Sequence, residues 1–216
     1  MPAMKCAKED LLLYAVTDRT WCGALTLAEQ VLAALHGGIT MLQLREKQLP
    51  PELFLQEAKL MKALCREFKV PLIINDNVEI ALACHADGVH VGQDDLPVAA
   101  VRKLVGPGMV IGVSAATVAE AQTAVAGGAD YLGVGAVFPT TTKLDAEPVS
   151  RETLQAICAA VPVPVCAIGG IKQDNLLQLQ GTGIAGVALV SAIFASRDIT
   201  SSCRELRQLA ARVAAQ

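Results

Sequence analysis

The sequence predicts an α/β protein, a single-domain (β/α)8 (TIM) barrel spanning residues 1–216. Three observations predict it. Hydrophobic residues make up 53% of the chain, while charged and aromatic residues supply only 18% and 3%. The apolar excess is Ala, Val, Leu and Ile, which suits strands buried on both faces beneath Ala-rich helices. Eight short apolar strands alternate with helical patterns, the count of a (β/α)8 barrel. That fold typically takes about 250 residues and at least about 200, so 216 residues leave little room for an inserted domain.

The strands are read in chain order as Leu11–Val16, Met41–Arg45, Leu72–Ile74 and Gly88–Val91, then Val110–Val113, Tyr131–Val134, Val163–Ile168 and Gly186–Val190. Helical periodicity covers Leu25–His36, Glu52–Phe68, Val78–Ala83, Val118–Ala126, Leu154–Ala160 and Ser202–Ala214. Glycines follow several helices just before the next strand: Gly37-Gly38, Gly127-Gly128, and Gly181 with Gly183. Glycine there permits the left-handed cap that turns a helix back toward a strand. An open doubly wound sheet is the competing architecture. It asks for a G-x-G-x-x-G turn after the first strand, where this chain has Thr17-Asp18-Arg19-Thr20.

Composition also excludes function classes. A net charge of −3 argues against a nucleic-acid groove, which needs clustered Lys and Arg. The longest apolar run, Ile184–Ala195, is broken by Gly186 and Ser191 and falls short of the roughly 18 residues of a membrane span. Glu9 and Asp10 interrupt the N-terminal segment, which reads as a buried strand rather than an export signal. The seven cysteines are scattered and form no C-x-x-C pair. They read as reduced core thiols of a cytoplasmic protein, not as a disulfide framework or zinc site. A homo-oligomer is left open.

In a barrel, functional groups gather at the C-terminal ends of the strands. The second strand runs into Gln43-Leu44-Arg45-Glu46-Lys47. Strand period sets Gln43, Arg45 and Lys47 on one face and Leu44 and Glu46 on the other. An inward Arg and Lys two positions apart suit a diphosphate clamp, although a solvated charged loop fits the same residues. Asn75-Asp76 ends the third strand, and Gln93-Asp94-Asp95 follows the fourth. Carboxylates from neighbouring strand ends can share Mg²⁺ with water and substrate phosphate. Helix capping also accounts for each Asp taken singly. Ser114 ends the fifth strand and suits either a phosphate contact or a helix cap. Thr140-Thr141-Thr142-Lys143 makes a poor core and a plausible anion loop. Gly169-Gly170 and Val190-Ser191 together suit the recurrent monophosphate site of this fold, while a tight turn also explains the glycines. His90 reads as a packed or hydrogen-bonded core histidine, and Trp21 as either a ligand cover or surface packing.

These segments, with Ala86-Asp87-Gly88-Val89-His90-Val91-Gly92 before Gln93 and Leu144-Asp145 after Lys143, resemble the thiamine-phosphate synthase family. The resemblance runs from Val16-Thr17-Asp18-Arg19 to Val190-Ser191-Ala192-Ile193. It implies a transferase of thiamine biosynthesis on a TIM barrel. The reaction would join 4-amino-2-methyl-5-hydroxymethylpyrimidine diphosphate to 4-methyl-5-hydroxyethylthiazole phosphate, with Mg²⁺, releasing thiamine phosphate and diphosphate. It implies that Gln43, Arg45 and Lys47 bind the pyrimidine diphosphate, assisted by Asn75, Ser114 and Lys143. Leu44 and Glu46 belong to the same binding segment. Arg45, Lys47, Ser114 and Lys143 would be the catalytic group, and Asp76 and Asp95 the metal ligands. Thr140, Thr142, Gly170, Val190 and Ser191 would take the thiazole phosphate, with Thr141 between them. Leu44 and Thr141 are where substitution should be tolerated.

Three other functions compete. A thiazole tautomerase on the same barrel would lack the paired aspartates and carry a histidine after Ser114, where this chain has Ala115. A Schiff-base aldolase would need Lys143 in a desolvated setting. A non-catalytic phosphate-metabolite sensor would not need Asp76, Asp95 and Lys143.

Overall fold

The structure, a computed structural model, describes residues 6–140 and 148–215. Eight parallel strands close into a barrel in sequence order: β1 (Leu13–Val16), β2 (Met41–Leu44), β3 (Leu72–Asn75), β4 (Gly88–Val91), β5 (Val110–Ala115), β6 (Tyr131–Val134), β7 (Val165–Ile168) and β8 (Gly186–Leu189). Each pairs in parallel with the next, and β8 returns to β1. The open-sheet alternative is thereby excluded.

The helices are α1 (Leu27–Gly37), α2 (Pro51–Phe68), α3 (Val78–Ala83), α4 (Val98–Val105), α5 (Val118–Ala126), α6 (Arg151–Ala160), α7 (Ser191–Phe194) and α8 (Ile199–Ala214). Where a helix would follow β7 there is a 3₁₀ turn, Leu176–Leu179. Local chemistry sets the ends. Thr26 caps α1 by accepting from the Glu29 amide while Glu29 reaches back, so α1 starts two residues later than Leu25. Gly38 closes α1 at φ 89°, in the left-handed region that glycine adopts without strain. The first strand begins at Leu13 because Lys8–Leu11 forms a 3₁₀ turn. The seventh begins at Val165, just past Pro162 and Pro164, which cannot donate to a ladder.

Period-two alternation sorts the strand side chains into two cores. Leu13, Leu42, Leu72, Ile74, Val89, Ile111, Leu132 and Val187 point outward and pack under the helices. Tyr14, Met41, Ile73, Val110, Tyr131, Cys166 and Ala188 fill the barrel interior. At the N-terminal end two carboxylates tie strand to strand. Asp87 accepts from the Leu72 amide and pairs with Lys62 at 2.6 Å, and Asp130 accepts from the Ile111 amide and pairs with Arg102 at 2.5 Å. Such groups hold the barrel shut at one end and leave the other free for chemistry. All seven cysteines are unpaired, and burial pushes the Cys65, Cys166 and Cys203 thiols up to about 12. Among the described residues no helix is long and apolar enough to cross a membrane.

Candidate active site

A cavity of about 720 Å³ opens at the C-terminal ends of the strands. Its wall follows directly from the alternation. Gln43 is the last inward residue of β2, and Arg45 and Lys47 continue the same face beyond the strand. Thr17, fully buried, fixes this extension: its hydroxyl accepts from the Arg45 amide at 2.9 Å. Asp18 lies 3.7 Å from the Arg45 guanidinium, which limits the swing of that side chain.

Across from this clamp stand the carboxylates. Asn77, not Asp76, caps α3 by accepting from the Ile80 amide. Asp76 is thus released from any capping duty and sits at φ 62°, a conformation uncommon outside glycine and found at strained functional positions. Its carboxyl lies 2.9 Å from the Lys47 ammonium. Burial raises the Asp76 pKa, against the pull of the Lys47 hydrogen bond, and the neighbouring Asp95 carboxylate raises it further. Asp95 itself accepts from the Gly92 amide at 2.7 Å, which aims it into the cavity and not at α4. Two carboxylates held together against their own repulsion form a hard oxygen donor set. Among the described residues there is no cluster of three or more His, Cys, Asp or Glu side chains that could hold a metal ion.

Deeper in the cavity, His90 sits beside Asn75 in the β3–β4 register and is 8% exposed. Burial lowers its pKa to about 4, with Asp95 opposing weakly, so the imidazole is neutral at ordinary pH. Its Nε2 is 3.0 Å from the Ser114 hydroxyl. Gln93 donates to the Ser114 carbonyl at 2.6 Å and Glu120 accepts from the Ala116 amide at 2.7 Å, fixing the turn after β5.

The far wall is made of backbone. Gly169, Gly170, Val190 and Ser191 line it, with Thr140 from the loop after β6. Gly170 has φ 65°, and a Cβ there would lie 2.4 Å from the Pro139 carbonyl oxygen and 2.6 Å from that of Phe138. The close approach that demands glycine is therefore between two loops. Asn175 secures the turn by donating to the Gly170 carbonyl at 2.9 Å and accepting from the Lys172 amide at 2.7 Å.

The structure brings Gln43, Arg45, Lys47, Asn75, Asp76, Asp95, Ser114, Thr140, Gly170, Val190 and Ser191 onto one cavity. It separates two residues from that group. Leu44 points outward into the core beneath the helices with 0% exposure and does not line the cavity. The Glu46 side chain is 3% exposed and lies 2.7 Å from Arg19, which also pairs with Glu57, so it holds loops together behind the site. Thr141, Thr142 and Lys143 lie outside the described residues. Sequence reasoning gave no role to Tyr14, Thr17, Gln93, Glu120 and Asn175, although Thr17 and Gln93 lie in segments that carry the resemblance. The inward period of β1 was a usable signal for Tyr14, but none marked the loop-fixing residues. Trp21 stands at the surface, 36% exposed, and its carbonyl accepts from Gln30 at 2.8 Å.

A barrel whose active end pairs cations with two carboxylates, opposite a glycine-lined wall, is built for substrates that carry phosphate groups. Comparison narrows this class. Residues 13–193 match the family model described as thiamine monophosphate synthase. The chain is 50% identical over 203 residues to a thiamine-phosphate synthase of Ruminiclostridium cellulolyticum, covering 94% of this chain and 97% of the relative. It is 48% identical over 206 residues to that of Enterococcus faecalis, covering 95% and 97%. The solved thiamine phosphate pyrophosphorylase of Pyrococcus furiosus superimposes with a TM-score of 0.89 at 37% identity, covering 95% and 98%. A 3-hexulose-6-phosphate synthase, at 18% identity and a TM-score of 0.67, shares the fold alone. The chain belongs to the thiamine-phosphate synthase family, transferases of thiamine biosynthesis.

Proposed function

We propose that the cavity joins 4-amino-2-methyl-5-hydroxymethylpyrimidine diphosphate to 4-methyl-5-hydroxyethylthiazole phosphate, releasing diphosphate. The observation that carries this reading is the meeting of Asp76 and Asp95 with Arg45 and Lys47 at one end of a cavity whose other wall is the Gly169–Gly170 turn. A two-substrate transfer with a diphosphate leaving group needs one site for each phosphate-bearing partner, and the cavity offers both.

Asp76 and Asp95 would hold Mg²⁺, whose charge would offset that of the departing diphosphate. Lys47 now lies against Asp76, the position of a cation that the carboxylates accept. Arg45 and Lys47 bind the diphosphate oxygens and stabilise the charge that grows as the bond to the pyrimidine methylene breaks. Lys143 is assigned to the same task. Gln43, Asn75 and Ser114 orient the pyrimidine. The backbone of Gly170, Val190 and Ser191, with Thr140 and Thr142, holds the thiazole phosphate so that the ring nitrogen faces the methylene carbon. No strong protein base is required, which agrees with a neutral His90. The same reading places the chain in the cytoplasm, supported by its seven unpaired thiols. The test is to mix the two substrates with Mg²⁺ and look for thiamine phosphate; no product from chain that binds both substrates would overturn the reading.

A further inference from the structure

A polar chain crosses the barrel interior from one side of the cavity floor to the other. Gln43 Nε2 donates to Tyr14 Oη at 2.6 Å, and Tyr14 Oη lies 2.7 Å from Tyr131 Oη. Tyr131 Oη lies 3.0 Å from His90 Nδ1, and His90 Nε2 lies 3.0 Å from Ser114 Oγ. Five strands contribute one residue each. Tyr14 and Tyr131 are the only tyrosines in the sequence, and both point inward among Met41, Ile73 and Cys166. Two inward glycines leave room for the rings. A Cβ at Gly112 would lie 2.1 Å from Tyr131 Cζ and 2.5 Å from His90 Nδ1, and one at Gly133 would lie 3.2 Å from His90 Cε1.

Counting protons gives the chain a direction. The Gln43 amide nitrogen can only donate, so Tyr14 Oη accepts there. Tyr14 has one hydroxyl hydrogen. If Tyr131 donated to Tyr14, that hydrogen would find no oxygen or nitrogen acceptor among the described residues. Tyr14 therefore donates to Tyr131. The Tyr131 hydrogen then goes to His90 Nδ1, which must be bare. A neutral imidazole carries its single proton on the other nitrogen, so Nε2–H donates to Ser114 Oγ. Ser114 Oγ is left with its own hydrogen to give, and Ser114 lines the cavity. At the opposite end, the Gln43 carbonyl oxygen is left to accept.

We propose that Tyr14, Tyr131 and His90 are positioning residues that lock Ser114 as a hydrogen-bond donor and Gln43 as an acceptor toward the bound substrate. The identity of that substrate rests on the function proposed above; the proton order does not. The device presents fixed dipoles before the ligand arrives, so no reorientation is needed as the reaction proceeds. The charged group facing His90 is Asp95, and the other polar neighbours are Tyr131 and Ser114.

The test is two-bond ¹H–¹⁵N correlation spectroscopy of the ligand-free chain, with His36 and His85 assigned by substitution. His90 should carry its proton on Nε2 from about pH 5.5 to 8, since burial holds its pKa near 4. A proton on Nδ1 would overturn the proposal, because Tyr131 would then accept from His90 and Ser114 would have to donate to Nε2. Tyr131→Phe should release the tautomer to a mixture and lower kcat roughly five- to twenty-fold, with KM for the diphosphate substrate within about two-fold. Tyr14→Phe should loosen the tautomer less than Tyr131→Phe does, because Tyr131 loses the donor that sets its direction but keeps its contact with Nδ1. The Tyr131→Phe, Ser114→Ala double variant should lose little more than Ser114→Ala alone. A Tyr131→Phe protein with an unmoved tautomer would equally sink the proposal. The spectrum needs no turnover, so an inactive chain with Nε2–H would refute the assigned reaction while supporting the relay.

Discussion

The two sides of the cavity work by different means. From β2 to β5 the chemistry lies in side chains: Arg45, Lys47, Asp76, Asp95 and Ser114. At β7 and β8 it lies in the backbone around Gly169, Gly170, Val190 and Ser191. The first side stores electrostatic tension, since Asp76 sits at φ 62° with its pKa raised by burial and by Asp95. The second stores steric constraint, since Gly170 at φ 65° has two carbonyls where a Cβ would go. Substitutions on the first side should change charge while sparing shape. Those on the second should change shape while sparing charge.

The sharpest test of the charged side is Asp76→Asn or Asp95→Asn. Either should cut turnover at least about 100-fold, the loss expected when a hydrogen-bonded, partly buried charge of roughly 3 kcal/mol to the transition state is removed. Excess EDTA should stop the wild type and Mg²⁺ should restore it; full turnover in EDTA would break the metal assignment. Stability should move the other way. A raised carboxyl pKa means that the folded state binds the proton more readily than the unfolded chain does. The ionised form therefore costs stability at neutral pH, and the cost is relieved as pH falls through the raised value. Asp76→Asn should raise Tm by roughly 1–3 °C in metal-free buffer. A lower Tm would show that the Lys47 pair outweighs burial.

Arg45→Ala comes next. Losing a charge-assisted contact to a desolvated diphosphate should cost roughly 10- to 150-fold in kcat/KM. Its neighbour supplies the control. Glu46 faces the other way and pairs with Arg19 at 2.7 Å. Glu46→Gln should leave kcat within about two-fold and lower Tm slightly, because it weakens a pair in which Glu46 is buried but Arg19 is exposed. A dead Glu46→Gln beside an active Arg45→Ala would reverse the strand register.

That pair also shows what could be read from sequence. Strand period alone separates Gln43, Arg45 and Lys47 from Leu44 and Glu46, and the barrel keeps that division. The alternation of apolar strands and capped helices was equally readable, with the starts shifted by two residues at Leu13 and Leu27. Family resemblance is coarser than strand period at this point: it groups all five residues, while strand period and the geometry both set Leu44 and Glu46 apart. Long-range partners left no local signal. Nothing near Thr17 marks its bond to the Arg45 amide 28 residues away, and nothing near Tyr14 points to Tyr131, 117 residues on. Asp76 was ambiguous because an Asn77 cap and an Asp76 cap look alike until the Ile80 amide is located.

The backbone side calls for gentler changes. Ser191 opens α7, and its hydroxyl adds one donor beside amides that any residue would supply. Ser191→Ala should therefore raise KM for the thiazole phosphate only about two- to five-fold, the loss of one modest hydrogen bond. Gly170→Val should do more, by a different route. Valine is strained at φ 65°, and its Cβ would meet the Pro139 carbonyl oxygen at 2.4 Å. The loop after β6 must then move, and Thr140 on that loop leaves its place on the cavity wall. Binding of the thiazole phosphate should fall more than about ten-fold, while the pyrimidine diphosphate keeps its contacts at β2, β3 and β4. Calorimetry with each substrate alone on each variant separates the outcomes. If Gly170→Val loses the pyrimidine diphosphate and keeps the thiazole phosphate, the two sites are allocated the wrong way round. If Ser191→Ala matches Gly170→Val in size, the hydroxyl and not the loop geometry holds the phosphate.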